Sequence, residues 1–394
     1  MQIKTTLMSL AAIVTIIITL SGLSVMAQTI TVLTTGLKRP VKTILTEQGN
    51  LLVAEGGTGV HDGRISIINT EKGTRRTLLD GLPSKAGRFG PVQGPSALAM
   101  RGRILYFTIG EGDPTVACPL PCTEIPNPAG SSSPIFSSVL ALHFSAETEM
   151  ITTGFTLAPT DDLILAAGNK VGFDNGGGDK ATLRMIADFP DVSPDPIPGA
   201  PENVAASNPF GIELIDNNAY VTDAGNNLVW KAGINSGDIE PLVSFPTIIF
   251  PTGQRREAVP TGIRLYGKQL LVALLRGGSD SALGAGLGEI RVVDPLTGSD
   301  APFLGGMTST IDVLPVQSEG NPDFFYVLLF GVFAPPIGPG NVPPRLLRFD
   351  APVTPPVSSS VILQRPTSMT RDPLSGDLYM TRIFAGEIIR VQIP

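Results

Sequence analysis

Histidine is almost missing from this chain: among 394 residues only His61 and His143 occur. That scarcity excludes multi-histidine metal centres and disfavours Ser-His-Asp chemistry, which needs an imidazole held beside its nucleophile. His143 alternates with apolar residues in SVLALHF at 138–144, a strand pattern, and no G-x-S-x-G elbow occurs anywhere. His61, in Val-His-Asp-Gly at 60–63, is expected to be an exposed turn residue and the one accessible imidazole. Tryptophan is represented by Trp230 alone, inside a predicted strand, so the aromatic platforms of a lectin are not evident. Basic runs are absent too: 28 Lys and Arg stand against 35 Asp and Glu, for a net charge of −7. A chain with that balance is not built to neutralise nucleic-acid phosphates or to coat an anionic membrane. Glycine-rich stretches at 176–179 and 284–288 lack the Lys-Ser/Thr and strand-to-helix setting of a phosphate loop, and read as turns.

Turn-forming residues are abundant instead. There are 44 Gly and 36 Pro, yet 42% of residues are apolar and the mean hydropathy is +0.22, which excludes global disorder. The first 27 residues read as a signal peptide: Lys4, an apolar core from Leu7 to Leu23, and Val25-Met26-Ala27 before Gln28. Their apolar run approaches the length of a membrane anchor, but a Val-x-Ala site leading directly into a β-rich domain favours cleavage. No cysteine follows that core for lipid attachment, and no later run is long enough to cross a membrane. Export to a periplasm or beyond follows, with one domain over 28–394 and no membrane insertion after cleavage. Cys118 and Cys122, in Cys-Pro-Leu-Pro-Cys, then read as a disulfide across one loop.

A module recurs along the mature chain: proline, a short apolar run, a Gly/Asn turn and a β-rich strand closing on an acid or a glycine. It reads PVKTILTEQGNLLVAEGG at 40–57, PSALAMRGRILYFTIGEG at 95–112, PFGIELIDNNAYVTDAGN at 209–226 and PTGIRLYGKQLLVALLRG at 260–277. Looser copies occupy 310–331 and 366–386. A period near 50 residues signals a propeller or solenoid. Each copy divides into four strands, the third exemplified by GRISIINT at 63–70 and GEIIRVQ at 386–392, the fourth by RTLLDG at 76–81 and PLVSF at 241–245. The chain stops after a third strand, while ITVLTTG at 30–36 has fourth-strand character, so the N-terminal strand is expected to complete the last blade. The expected fold is therefore an all-β, six-bladed propeller. The long step between the second and third copies leaves a seven-bladed ring as the alternative, but 154–189 reads better as a hairpin inserted in blade 2, turning at Asp174 to Asp179.

SNPFGI at 207–212, YVTDAGNNLVWKA at 220–232, VPTGI at 259–263 and MIADFPD at 185–191 resemble the ScyD/ScyE family of secreted propeller-like proteins, related in pattern to NHL repeats. The family is named for genes accompanying biosynthesis of scytonemin, an extracellular ultraviolet-screening pigment. The resemblance implies a propeller over the whole mature chain and a link to secondary-metabolite handling outside the cytoplasm. It implies no catalytic set.

In such a ring the second-strand ends converge at one channel mouth, which places Glu55, Glu111, Asp223, Arg276 and Arg382 there, with Asn208 before its blade start. Each has a structural alternative: Asp223 and Asn208 as turn residues, Glu55 as turn surface, Glu111 as an exposed loop acid, and both arginines as partners of nearby carboxylates. The leading expectation is a secreted or periplasmic binding or scaffold protein whose partner is a small molecule, an extracellular polymer or another exported protein. The alternative is a Ca²⁺-dependent hydrolase or lactonase with Glu55, Asn208 and Asp223 around the ion.

Overall fold

The structure is a computed structural model that describes residues 28–87, 92–253, 255–276, 286–318, 321–331, 342–353, 355–362 and 364–393. The signal segment expected at 1–27 lies outside them, as do residues 284–285 of the second glycine-rich stretch. Proline opens four of the six innermost strands. It fits there because its missing N–H costs nothing at the first residue of a strand. Blade 1 runs Pro40–Leu45, Asn50–Glu55, Gly63–Asn69 and Arg75–Leu82. Blade 2 begins Pro95–Arg101, Ile104–Ile109 and Ser138–Phe144, and blade 3 runs Pro209–Ile215, Asn218–Asp223, Leu228–Gly233 and Ile239–Ser244. Blade 4 is Pro260–Tyr266, Gln269–Leu274, Gly288–Val293 and Asp300–Met307; blade 5 is Thr310–Ser318, Asn321–Leu329, Arg345–Phe349 and Ser358–Val361. Blade 6 is Met369–Arg371, Leu378–Arg382 and Glu387–Gln392, closed by Thr29–Thr34. The closing strand pairs antiparallel with Glu387–Gln392, Thr29 opposite Gln392 and Val32 opposite Ile389. The fold is thus the six-bladed propeller with N-terminal closure.

Second strands are covered on both faces, so they read as unbroken apolar runs: Leu51 to Ala54 are fully buried. Between neighbouring blades lie six apolar clusters. The largest joins blades 1 and 2, including Leu52, Ile65 and Leu79 with Phe107, Leu140 and Leu142. The smallest joins blades 6 and 1, through Leu37, Leu51, Val53, Ile68, Tyr379 and Ile388.

Blade 2 departs from the expected simple hairpin insertion. The hairpin exists, Val171–Asp174 pairing with Lys180–Asp188 and the latter serving as the fourth strand. Before it, however, come two short helices, Ala146–Ile151 and Pro159–Ala166. The second was hidden by its brevity, although Pro159 at its first position, Asp161 and Asp162 in its first turn and Gly168 after its end are all start and stop signals. Between the helices, Phe155–Thr156 adds in parallel to the outer strand of blade 1, and Phe155, Leu157 and Leu165 fill the blade 1–2 interface. The insertion therefore buttresses two blades from outside.

Candidate functional site

At one mouth of the channel, each first strand begins where its second strand ends. One hydrogen bond recurs there in every blade: the amide following the second strand donates to the carbonyl preceding the first. The pairs are Gly56 to Arg39, Gly110 to Gly94, Ala224 to Asn208, Leu275 to Val259, Phe330 to Ser309 and Ile383 to Arg365, at 2.8–3.3 Å. Equivalent positions of every copy thus form the inner rim.

Of the six residues expected at this mouth, Glu55, Asp223, Arg276 and Arg382 are engaged by partners within their own blades or the loops beside them. Glu55 is fully buried; its Oε2 accepts the Lys38 amide at 2.6 Å, and Arg75 Nη2 donates to both oxygens at 2.7 and 3.0 Å. Asp223 Oδ1 caps the turn, accepting the amides of Asn208, Gly225 and Asn226 at 2.8–3.1 Å. Its Oδ2 accepts from Ser207 Oγ, Asn226 Nδ2 and Trp230 Nε1 at 2.7–2.9 Å. In blades 4 and 6 the charges are exchanged: Arg276 meets Glu289, and Arg382 donates to Glu387 at 3.1 Å. Glu111 is half-buried against Gly87 rather than exposed. Asn208 Oδ1 is buried over Gly110 and, among the described residues, accepts no hydrogen bond. Calcium coordination by Glu55, Asn208 and Asp223 is not favoured. The two carboxylates belong to blades 1 and 3, which are not neighbours, and their oxygens are filled by N–H and O–H donors. Among the described residues no cluster of three or more His, Cys, Asp or Glu could hold a metal ion.

His61 is half-buried, whereas His143 is the exposed imidazole, the reverse of expectation. His61 has φ 59°, and its Nε2 lies 3.6 Å from Asp162 Oδ2 on the inserted helix. Ser133 Oγ donates to that same oxygen at 2.6 Å. The three residue types of a hydrolase triad meet here in an unproductive order. Asp162 stands between serine and histidine, so the imidazole is not bonded to the hydroxyl it would have to deprotonate. The cysteine pair does form the disulfide Cys118–Cys122.

The opposite mouth holds a site absent from the sequence-based list. The third residue of each copy, counted from Pro40, Pro95, Pro209, Pro260, Thr310 and Pro366, is small in four, Ala97, Gly211, Gly262 and Ser368, and charged in two, Lys42 and Asp312. Lys42 Nζ donates to Asp312 Oδ2 at 3.1 Å. That oxygen also receives Arg264 Nη2 at 3.3 Å and the Met369 amide at 3.1 Å, so blades 1, 4, 5 and 6 meet on one carboxylate. The glycines make this possible, since a Cβ on Gly262 would stand 2.4 Å from Asp312 Oδ1. Burial, then the neighbouring Arg264 charge, pulls the Lys42 ammonium down to about 8 from its usual 10.5, against the opposing pull of Asp312 and Glu213. An ammonium has three donors. Among the described residues Asp312 is the one acceptor of Lys42.

Two members of this cluster, Arg264 and Met369, line an open bowl of about 620 Å³ formed where the six first strands end. Its walls are largely apolar, with Ile44, Leu98, Met100, Ile212, Leu214 and Leu314, and its charged lining is Arg101, Arg264 and Arg371 against Glu47 and Glu213. A preformed apolar cavity with a few converging polar groups is the usual form of a ligand site.

No family model and no curated protein matches the chain. Among solved structures, the calcium structure of a carbohydrate-active enzyme from Trichoderma reesei superposes with a TM-score of 0.52 at 12% identity, covering 93% of this chain and 95% of that one. A streptogramin B lyase covers 93% of this chain and 98% of its own at 13% identity, with a TM-score of 0.47. At such identities the likeness is one of fold.

Proposed function

We propose that this chain is an exported, non-enzymatic binding propeller that takes a small amphiphilic anion into the bowl above Lys42. The observation that carries this reading is the Lys42 ammonium, held almost out of water with Asp312 its one acceptor among the described residues, beside Arg264, which shares that carboxylate and lines an apolar-walled cavity. An anionic head would supply the missing acceptors, and the ring of Ile44, Leu98, Met100, Ile212, Leu214 and Leu314 would receive an apolar tail. The arginine excess of the lining selects against cations. Among the described residues His61 is not bonded to the hydroxyl of Ser133, and this supports binding over turnover. Export is supported by the disulfide, and by a closing strand that starts at Thr29 and so survives cleavage before Gln28. If the likeness to the ScyD/ScyE proteins extends to role, the anion is a secondary metabolite handled outside the cytoplasm.

Calorimetric titration with decanoate tests the reading, with decyltrimethylammonium as the cation of equal tail. Decanoate is expected to bind and the cation not. Lys42→Met should weaken decanoate by roughly tenfold, the scale of one charge-assisted contact. Leu214→Trp, which fills the bowl without touching the charges, should abolish binding. A wild-type protein that ignores decanoate, or a Leu214→Trp protein that binds it unchanged, overturns the proposal.

A further inference from the structure

We propose a second, independent ligand site at the opposite mouth of the channel, where Arg39 receives the carboxylate of a small aromatic monoacid beside Phe384. Arg39 is the rim residue of blade 1, and its carbonyl holds the recurring hydrogen bond from Gly56. Its backbone is left-handed, with φ 57°. Val259 and Ser309 share that conformation at the equivalent rim positions, so the backbone alone points to no ligand. The side chain does. Its guanidinium carbon lies 5.5 Å from the centre of the Phe384 ring. Among the described residues it forms no hydrogen bond and no ion pair, and Nη1 is shut off from water without an acceptor. Burial accordingly depresses its pKa, with no carboxylate offsetting the effect.

Nearby cations are committed elsewhere. Lys38 Nζ is held by Asp62 at 2.9 Å, Arg75 by Glu55, and Arg382 by Glu387. One positive charge is therefore unspent in a cleft of about 460 Å³, walled by Leu37, Val92, Ile383 and Phe384. Phe384 is 47% exposed and lines the cleft. A guanidinium is a planar fork of donors that matches a carboxylate with two parallel bonds. A flat monoanion satisfies the fork and covers the ring together, whereas a phosphate ester would bring more charge than one arginine neutralises and no apolar face for Phe384.

Ligand-observed saturation-transfer NMR with benzoate tests the site, with benzylamine as the aromatic cation control. Benzoate should show transfer and benzylamine none. Arg39→Gly should keep or raise the melting temperature, because glycine adopts this φ without strain. The same change should weaken benzoate by roughly tenfold or more. Phe384→Leu, conservative in size, should keep the fold and also weaken benzoate. Lys42→Met should leave benzoate untouched, which separates this site from the bowl. Absence of transfer to the wild-type protein, or unchanged benzoate affinity in either folded variant, overturns the proposal.

Discussion

At the scale of single residues, the ring is tied together by hydroxyls. First strands bulge just after their opening residue, as between Pro209 and Gly211 or between Pro95 and Leu98, which takes an amide out of the ladder. A threonine near the end of the second strand recovers it. Thr222 Oγ1 accepts from the Gly211 amide at 2.8 Å and donates at 2.6 Å to the Thr261 carbonyl of the next blade. Thr108 accepts from Ala97 at 3.0 Å, with Ser96 Oγ donating to Pro209 at 2.6 Å. Thr381 accepts from Ser368 at 3.0 Å, with Thr367 Oγ1 donating to Val41 at 2.7 Å. Each relay therefore stitches one blade to the next, and those of Thr222 and Thr108 also fill a bulge. Thr222→Val keeps the shape but strands a buried donor and a buried acceptor, each worth about 1–3 kcal/mol. Urea unfolding should show a lowered midpoint at unchanged slope, and Thr222→Ser should recover most of the loss.

At the scale of elements, the six interfaces are unequal, and the seam between blades 6 and 1 combines the smallest apolar cluster with the only blade assembled from both ends of the described chain. The closing strand is largely exposed, with Ile30 at 37% and Val32 at 49%, so it contributes backbone pairing more than buried surface. Deleting residues 28–34 should therefore leave a cooperative fold of lower stability with a bare edge at Glu387–Gln392, a template for pairing with another chain. Sedimentation velocity should report association of the truncated protein at concentrations where the full domain stays monodisperse. Strand order and closure were readable because proline openings, turn glycines and alternating apolar residues repeat at constant spacing. The helix Pro159–Ala166 was not, since eight residues with an indistinct apolar face are overshadowed by the hairpin that follows. Glu55, Asp223 and Arg382 close their second strands, whereas Glu111 and Arg276 lie two residues beyond theirs. Their partners, such as Arg75 for Glu55 and Trp230 for Asp223, come from the third and fourth strands, and single-strand spacing does not register them.

At the scale of the whole molecule, the Lys42–Asp312 pair spans 270 residues and fastens blade 1 to blade 5 across the channel. Its signal was present in the sequence: superposing the copies puts a lysine and an aspartate at a position otherwise held by Ala97, Gly211, Gly262 and Ser368. Opposite charges among small residues mark a shared interior, whereas a lysine read inside one strand is only an interrupted apolar run. The pair has a measurable consequence. With its folded pKa at about 8 and an unfolded value near 10.5, Lys42 binds fewer protons folded than unfolded between those limits. Stability from this group is therefore constant below pH 8, rises as pH climbs from about 8 to about 10.5, and is constant again above. Lys42→Met removes the titration. Urea unfolding of both proteins at neutral pH and near pH 9.5 should show the wild type gaining about 2 kcal/mol on the variant. A difference that stays flat would mean that the ammonium is solvated and the channel wet to its centre. If it rises as expected, decanoate should run against it. An anion bound above Lys42 favours the charged amine, so its affinity should fall through pH 8 to 9.5 while Arg264 keeps a residual hold, and benzoate at the Arg39 mouth should show no such slope.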